Sequence, residues 1–105
     1  MKVDILAFGA HPDDVELGCS GSILSSIDEG KSVGIVDLTR GELGTRGDLK
    51  TRDREAKNAA AILGVSFRKN LGFRDSFFVN DETHQLEIIK LIRTHKPNVV
   101  LCNAV

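Results

Sequence analysis

Apolar and polar positions along the chain switch between two periods. Val3 to Phe8 is short and mostly apolar, the pattern of a strand buried on both faces. From about Gly18 to Glu29, Ile23, Leu24 and Ile27 recur at helical spacing, and Gly30 suits the position after a helix end. Val33 to Leu38 predicts a second strand, followed by a loop from Thr39 to Lys50 that holds Gly41, Gly44 and Gly47. Thr51 predicts the cap of a helix carrying Ala56, Ala59, Ala60 and Leu63, which Gly64 ends. Val65 to Leu71 predicts a weaker strand, interrupted by Arg68 and Lys69. A loop through Gly72 and Asp75 leads to Asn80 or Asp81 as a cap, and Leu86, Ile89 and Ile92, widened by Ile88 and Leu91, define an apolar helix face. His95 and Lys96 complement the end of that helix's dipole, Pro97 stops it, and Asn98 to Cys102 predicts a fourth strand.

The order β-α-β-α-β-α-β predicts the α/β class: a doubly wound parallel sheet with helices on both faces, joined by right-handed crossovers. The 105 residues allow one domain, with no internal repeat, low-complexity tract or linker. A buried-type fourth strand with no helix after it would be a free edge. The expectation is therefore that residues 1–105 are the N-terminal part of a single domain truncated after that strand, or that a partner chain covers it.

Composition narrows the function classes. Apolar content of 41%, charged content of 28% and a formal net charge of -1 exclude a disordered chain or a strong polyanion binder. Arg40, Arg46, Lys50, Arg52, Arg54 and Lys57 interleave with Glu42, Asp48, Asp53 and Glu55, and Trp and Tyr are absent, so no nucleic acid partner is expected. No apolar stretch nears the ~20 residues of a membrane span and no signal peptide precedes Val3, so no membrane partner is expected. Cys19 and Cys102 are too few for a disulfide framework and read as reduced thiols of a cytoplasmic protein.

The chemistry gathers after the first strand, at Ala10-His11-Pro12-Asp13-Asp14. In an open parallel sheet, ligands bind beyond the carboxyl ends of the strands. Topology places His11, Asp13, Asp14, the Thr39–Lys50 loop, Arg52, Asp75 and Asn103 along that one rim. His95, at the far end of a helix ~20 Å long, is excluded by the rise of 1.5 Å per residue. Zinc accepts imidazole nitrogen and carboxylate oxygen while a catalytic site keeps a position open for water. One of Asp13 and Asp14 would bind metal and the other would serve as general base, with Pro12 restraining the spacing. The plainer reading is a solvated turn capping the next helix. A dinucleotide-binding turn fares badly, because Gly9 to Asp14 lacks G-x-G-x-x-G and two carboxylates would repel phosphate.

Around this turn other readings stay open. Glu16 either faces substrate or favours the next helix's dipole. Arg52 either grips a substrate hydroxyl or carboxylate with its planar fork, or pairs with Glu55 or Asp48. His84 is a candidate substitute ligand or a surface histidine, Cys19 points to the core more readily than to a metal, and Cys102 reads as a small buried apolar residue.

Ala-His-Pro-Asp-Asp-Val-Glu-Leu-Gly at 10–18 resembles the PIG-L/LmbE-type deacetylases, zinc-dependent enzymes on a Rossmann-like fold that remove N-acetyl groups from N-acetylglucosamine derivatives. The resemblance continues through Gly21, through 37–47, Thr51-Arg52, Glu55-Ala56 and Leu71-Gly72-Phe73 with Asp75, and so spans essentially the whole chain. It is nearest to the branch that includes bacillithiol-biosynthesis deacetylases, which act on N-acetylglucosaminyl-malate. The resemblance implies His11 and Asp14 as Zn2+ ligands, Asp13 as the base, and Arg52 and Asp75 on the substrate side, where Glu16 is a further candidate from its place in the turn. It also implies a small amino-sugar substrate and a homo-oligomer. The family's third ligand comes from a later His-Pro-Asp-His type segment, expected beyond residue 105. The 105-residue chain alone is therefore expected to bind zinc poorly and to be inactive. The competing reading is a non-catalytic Rossmann-like module or assembly fragment without a complete metal site.

Overall fold

In the computed structural model, which describes residues 2–40, 49–74 and 80–102, the alternating apolar runs form the expected seven elements. In chain order they are β1 (Ile5–Gly9), α1 (Asp14–Asp28), β2 (Val33–Thr39), α2 (Leu49–Leu63), β3 (Phe67–Phe73), α3 (Glu82–His95) and β4 (Val99–Cys102). The four strands make one parallel sheet in the order β3-β2-β1-β4. The chain reverses direction across the sheet at β1, where a doubly wound sheet opens a crevice at its carboxyl edge.

Strand periodicity divides the core between two faces. Ala7, Val33 and Ile35 pack with Val15 and Ile23 of α1 and Leu63 of α2. Val3, Leu6, Phe8 and Val36 pack with Leu91 of α3. Each fully buried side chain such as Ile23 or Leu6 contributes about 1.5–3 kcal/mol relative to exposure. Helices thus cover both faces of β1 and β2, and the sheet cannot slip by one residue without turning its core outward.

Several boundaries differ from the sequence expectation. α1 begins at Asp14, four residues before Gly18, because the His11–Asp14 turn closes on itself. The Asp14 amide donates to the His11 carbonyl at 3.2 Å, and the His11 amide donates to Asp14 Oδ2 at 3.0 Å. Apolar spacing cannot reveal this turn. α1 then kinks at Cys19 (φ -147°, ψ 21°), between Gly18 and Ser20. α2 starts at Leu49, ahead of Thr51. β3 is shifted to Phe67–Phe73, and Arg68 lies within the strand, buried. α3 follows the expectation closely: Asp81 caps it by accepting from the His84 amide at 3.0 Å, and Lys96 closes it in a left-handed conformation (φ 45°).

β4 is an edge strand, with Val99 and Val100 47% and 45% exposed. Contrary to the sequence expectation of burial, Cys102 is exposed: it pairs with Phe8 of β1 on one side, and among the described residues no strand pairs with β4 on the other. His95 lies at the opposite rim, as expected: its carbonyl accepts from the Val3 amide and its ring stacks on Phe67 with centroids 4.4 Å apart. Among the described residues no helix is long and apolar enough to cross a membrane.

Candidate metal and catalytic site

β1 ends at Gly9, and the chain must turn within four residues to start α1. A Cβ on Gly9 would stand 3.1 Å from both Asp14 Cβ and Val15 Cγ2, so the missing side chain is what lets the first turn of α1 settle against the strand end. From the other side, the Thr39 amide and hydroxyl both donate to the Ala10 carbonyl, at 3.0 and 2.9 Å. Asn70 in turn donates to the Thr39 carbonyl at 2.7 Å. The backbone leading into His11 is therefore fixed by β2 and β3 before any ligand arrives.

His11 and Asp14 come out side by side, with Nδ1 and Oδ2 3.5 Å apart. Two ligands at zinc distances of ~2.0–2.2 Å in a tetrahedral arrangement lie about 3.3 Å from one another. The donor types and their separation thus fit one ion. Among the described residues no third His, Cys, Asp or Glu joins them as a metal set.

Asp13 is treated differently by the turn. It occupies the N-cap position of α1 with a left-handed backbone (φ 88°, ψ -18°), and its side chain makes no capping bond. Aspartate visits that region more readily than most residues, yet it still carries strain. The usual cap has an extended backbone and spends its carboxylate on the helix amides; here the carboxylate is spared. Burial, followed by the neighbouring charges of Asp14 and Glu16, pushes its carboxyl above the ordinary value, against the opposing pull of Arg52 and His11.

A cleft of about 270 Å³ opens beside it, lined by Pro12, Asp13, Glu16, Arg52, Glu55 and Ala56. The structure thus brings Arg52 and Asp13 to one cleft, with Glu55 on the same wall. Glu16 reaches that wall too, but its Oε1 accepts from Arg68 at 3.0 Å. Neither sequence reading of Glu16 named this partner. Asp75 and Asn103 lie outside the described residues.

The other candidates separate. His84 Nδ1 sits 2.6 Å from Asp81 Oδ1, and its ring meets Phe73 edge-on with centroids 4.4 Å apart, so capping and packing account for it. Cys19 Sγ donates to the Val15 carbonyl at 3.4 Å beside the α1/α2 core, and burial pushes its thiol up, away from the thiolate a metal needs.

Sequence reasoning missed Asp37, Thr39, Arg68 and Asn70. Arg68 Nε and Nη2 donate to the two oxygens of Asp37 at 2.7 and 3.0 Å, and Nη1 donates to the Ala56 carbonyl at 3.3 Å. Burial pushes the Asp37 carboxyl up, and the Arg68 fork opposes that. Burial also works against the Arg68 charge, but the bonds to Asp37 and Glu16 leave it held above the ordinary arginine value. A legible signal existed: an aspartate inside a strand buried on both faces needs a cation, and the strand expected beside it carried one.

The chain spans about half the length of the curated relatives it resembles. It is 41% identical over 88 residues to the uncharacterized deacetylase YaiS of Escherichia coli (strain K12), covering 81% of this chain and 47% of that one. It is 33% identical over 104 residues to the diacetylchitobiose deacetylase of Thermococcus kodakarensis, covering 92% of this chain and 39% of the relative. Among solved structures, the conserved protein TT1542 of Thermus thermophilus superposes with a TM-score of 0.88 at 43% identity, over 93% of this chain and 44% of that one. The 4-carboxy-2-hydroxymuconate hydratase GalB of Pseudomonas putida KT2440 superposes at 0.82 with 26% identity, over 95% and 46%. The family model of the GlcNAc-PI de-N-acetylases matches residues 6–104, and the chain belongs to this PIG-L family.

Proposed function

We propose that the complete protein is a metal-dependent hydrolase that removes the acetyl group from an N-acetylglucosamine derivative. In this reading His11 and Asp14 are two protein ligands of a divalent ion, zinc first, and Asp13 is the base. The observation that carries it is the split within one turn: His11 and Asp14 are paired at a separation that suits one ion, while Asp13 is spared from capping and faces the cleft with Arg52. The third protein ligand is proposed to come from beyond residue 105, so the 105-residue chain alone should hold zinc weakly and turn over nothing.

A divalent ion held there would supply Lewis acidity and make water a better nucleophile at neutral pH. Asp13 takes a proton from the attacking water as its oxygen bonds to the acetyl carbon. It returns that proton to the sugar nitrogen as the C–N bond breaks, leaving acetate and a free amine. Arg52 offers two N–H groups in a plane to a substrate carboxylate or hydroxyl pair, which orients the amide over Asp13. Asp75 is proposed to hold a sugar hydroxyl. Glu16 already spends one oxygen on Arg68 and forms the wall of the cleft.

Motif resemblance to the bacillithiol-biosynthesis branch makes N-acetylglucosaminyl-malate the first substrate to test, its carboxylates suiting Arg52. N,N'-diacetylchitobiose is the second, after the Thermococcus relative. Likeness to GalB makes hydration the competing reaction. Acetate release from both compounds by the complete protein, before and after chelation and with zinc restored, is the test. Release that stops on chelation and returns with zinc supports the reading. Bound zinc with no acetate released favours hydration, and absence of zinc binding favours a non-catalytic module.

A further inference from the structure

Arg68 donates four hydrogen bonds near the cleft, and the reaction just described does not use it. Its side chain is 6% exposed, and its guanidinium ties four elements together: Asp37 of β2, Glu16 of α1, the Ala56 carbonyl of α2, and its own strand β3. Two of those anchors border the turn. Glu16 is one helical turn from Asp13 and shares its cleft, and Asp37 is the register partner of Gly9, the last residue before the turn.

Without Arg68, two carboxylates would stand uncompensated beside Asp13 and Asp14. Like charges would push the first turn of α1 away from the sheet. The left-handed backbone at Asp13 makes that turn especially dependent on outside support, because its conformation is strained and no side-chain cap holds it. A fork bonded to both oxygens of Asp37 is rigid, and its Nη2, which donates to Asp37 Oδ1, also donates to Glu16 Oε1.

We propose that Arg68 is the positioning residue of the metal-binding turn: anchored on Asp37, it holds the first turn of α1 through Glu16, and so sets where Asp13 and Asp14 stand. The proposal rests on the deacetylase reading for its catalytic consequence, but not for its effect on metal binding.

The test uses the complete protein with Arg68→Lys, Glu16→Ala and the double variant. Melting temperature, the Co2+ dissociation constant with its visible spectrum, and kcat and KM for the acetylated sugar are measured in each. Arg68→Lys keeps the charge and loses the fork. A supporting-shell residue whose loss shifts its neighbours weakens metal binding by roughly 10–100-fold. Both single variants should therefore bind Co2+ at least about tenfold more weakly, with an altered spectrum. At saturating metal kcat should fall by about tenfold or more with KM within about twofold, as displacement of reacting groups predicts. Because Arg68 acts through Glu16, the double variant should be no worse than the weaker single one.

Folded variants with wild-type Co2+ affinity and kcat, or losses that multiply in the double variant, overturn the proposal. If Arg68→Lys does not fold, Glu16→Ala decides, since it leaves the Arg68–Asp37 pair in place. If the wild type releases no acetate, the deacetylase reading fails separately, and the Co2+ affinities alone judge Arg68.

Discussion

Thr39 grips Ala10 with both of its donors: amide and hydroxyl converge on the same carbonyl oxygen, at 3.0 and 2.9 Å, and the hydroxyl is fully buried. This clamp joins the end of β2 to the residue before His11. Replacing Thr39 by valine keeps the shape and one of the two bonds. The expected loss is about 1 kcal/mol, the net worth of one buried hydrogen bond, read as a lower urea midpoint with an unchanged m-value.

Two glycines should fail in different ways. A methyl on Gly34 would enter the Phe67 ring, which stacks on His95 at the rim away from the turn. Gly34→Ala should therefore cost about 1–3 kcal/mol through overpacking and leave metal affinity alone. A methyl on Gly9 would crowd Asp14 Cβ and Val15 Cγ2 at 3.1 Å. Gly9→Ala should weaken zinc binding of the complete protein by about tenfold, through displacement of a ligand's support. Calorimetric titration with zinc alongside urea unfolding separates the two effects, and equal losses in both variants would contradict the assignment.

These contrasts bear on what the amino-acid order makes legible. Strands such as Val33–Leu38 announce themselves because burial on both faces demands an apolar run, and α3 because its cap, apolar face and terminating Pro97 agree. The start of α1 was hidden because it depends on bonds between His11 and Asp14 and on contact with Gly9, neither of which has a period. Arg68 looked like an interruption because a charge in a strand pattern is ordinarily solvated. Its bonds to Asp37 across the β2–β3 boundary, to Glu16 and to the Ala56 carbonyl are what let its side chain be buried. Residue type and resemblance single out His11 and Asp14, which the fold places side by side. The anchors behind that pair, Thr39, Asn70 and Arg68, come from two other strands, and only the sheet order brings them to the turn.

Acid should loosen a second clamp, at the opposite end of β1. Asp4 Oδ2 accepts from the Ser32 amide at 2.8 Å and from its hydroxyl at 3.2 Å. The amide bond, aided by the hydroxyl and by Lys31 and Lys2, outweighs partial desolvation and holds the carboxyl below its ordinary 3.8. A carboxyl lowered on folding contributes stability that is full above the unfolded value and is lost as pH falls through it toward the folded one. Asp4→Asn should thus be less stable than wild type at pH 7, with the gap closing below pH ~3.8. A gap that stays constant across urea titrations from pH 7 to pH 3 would assign the bond no charge dependence.

The division of labour within one turn is most directly tested by zinc content measured together with turnover in Asp13→Asn and Asp14→Asn of the complete protein. Asp13→Asn should keep its zinc and lose about 10²–10⁴-fold in kcat, the usual worth of a general base, whereas Asp14→Asn should lose the metal itself. Equal loss of zinc in both variants, or retention in Asp14→Asn with loss in Asp13→Asn, would contradict the account.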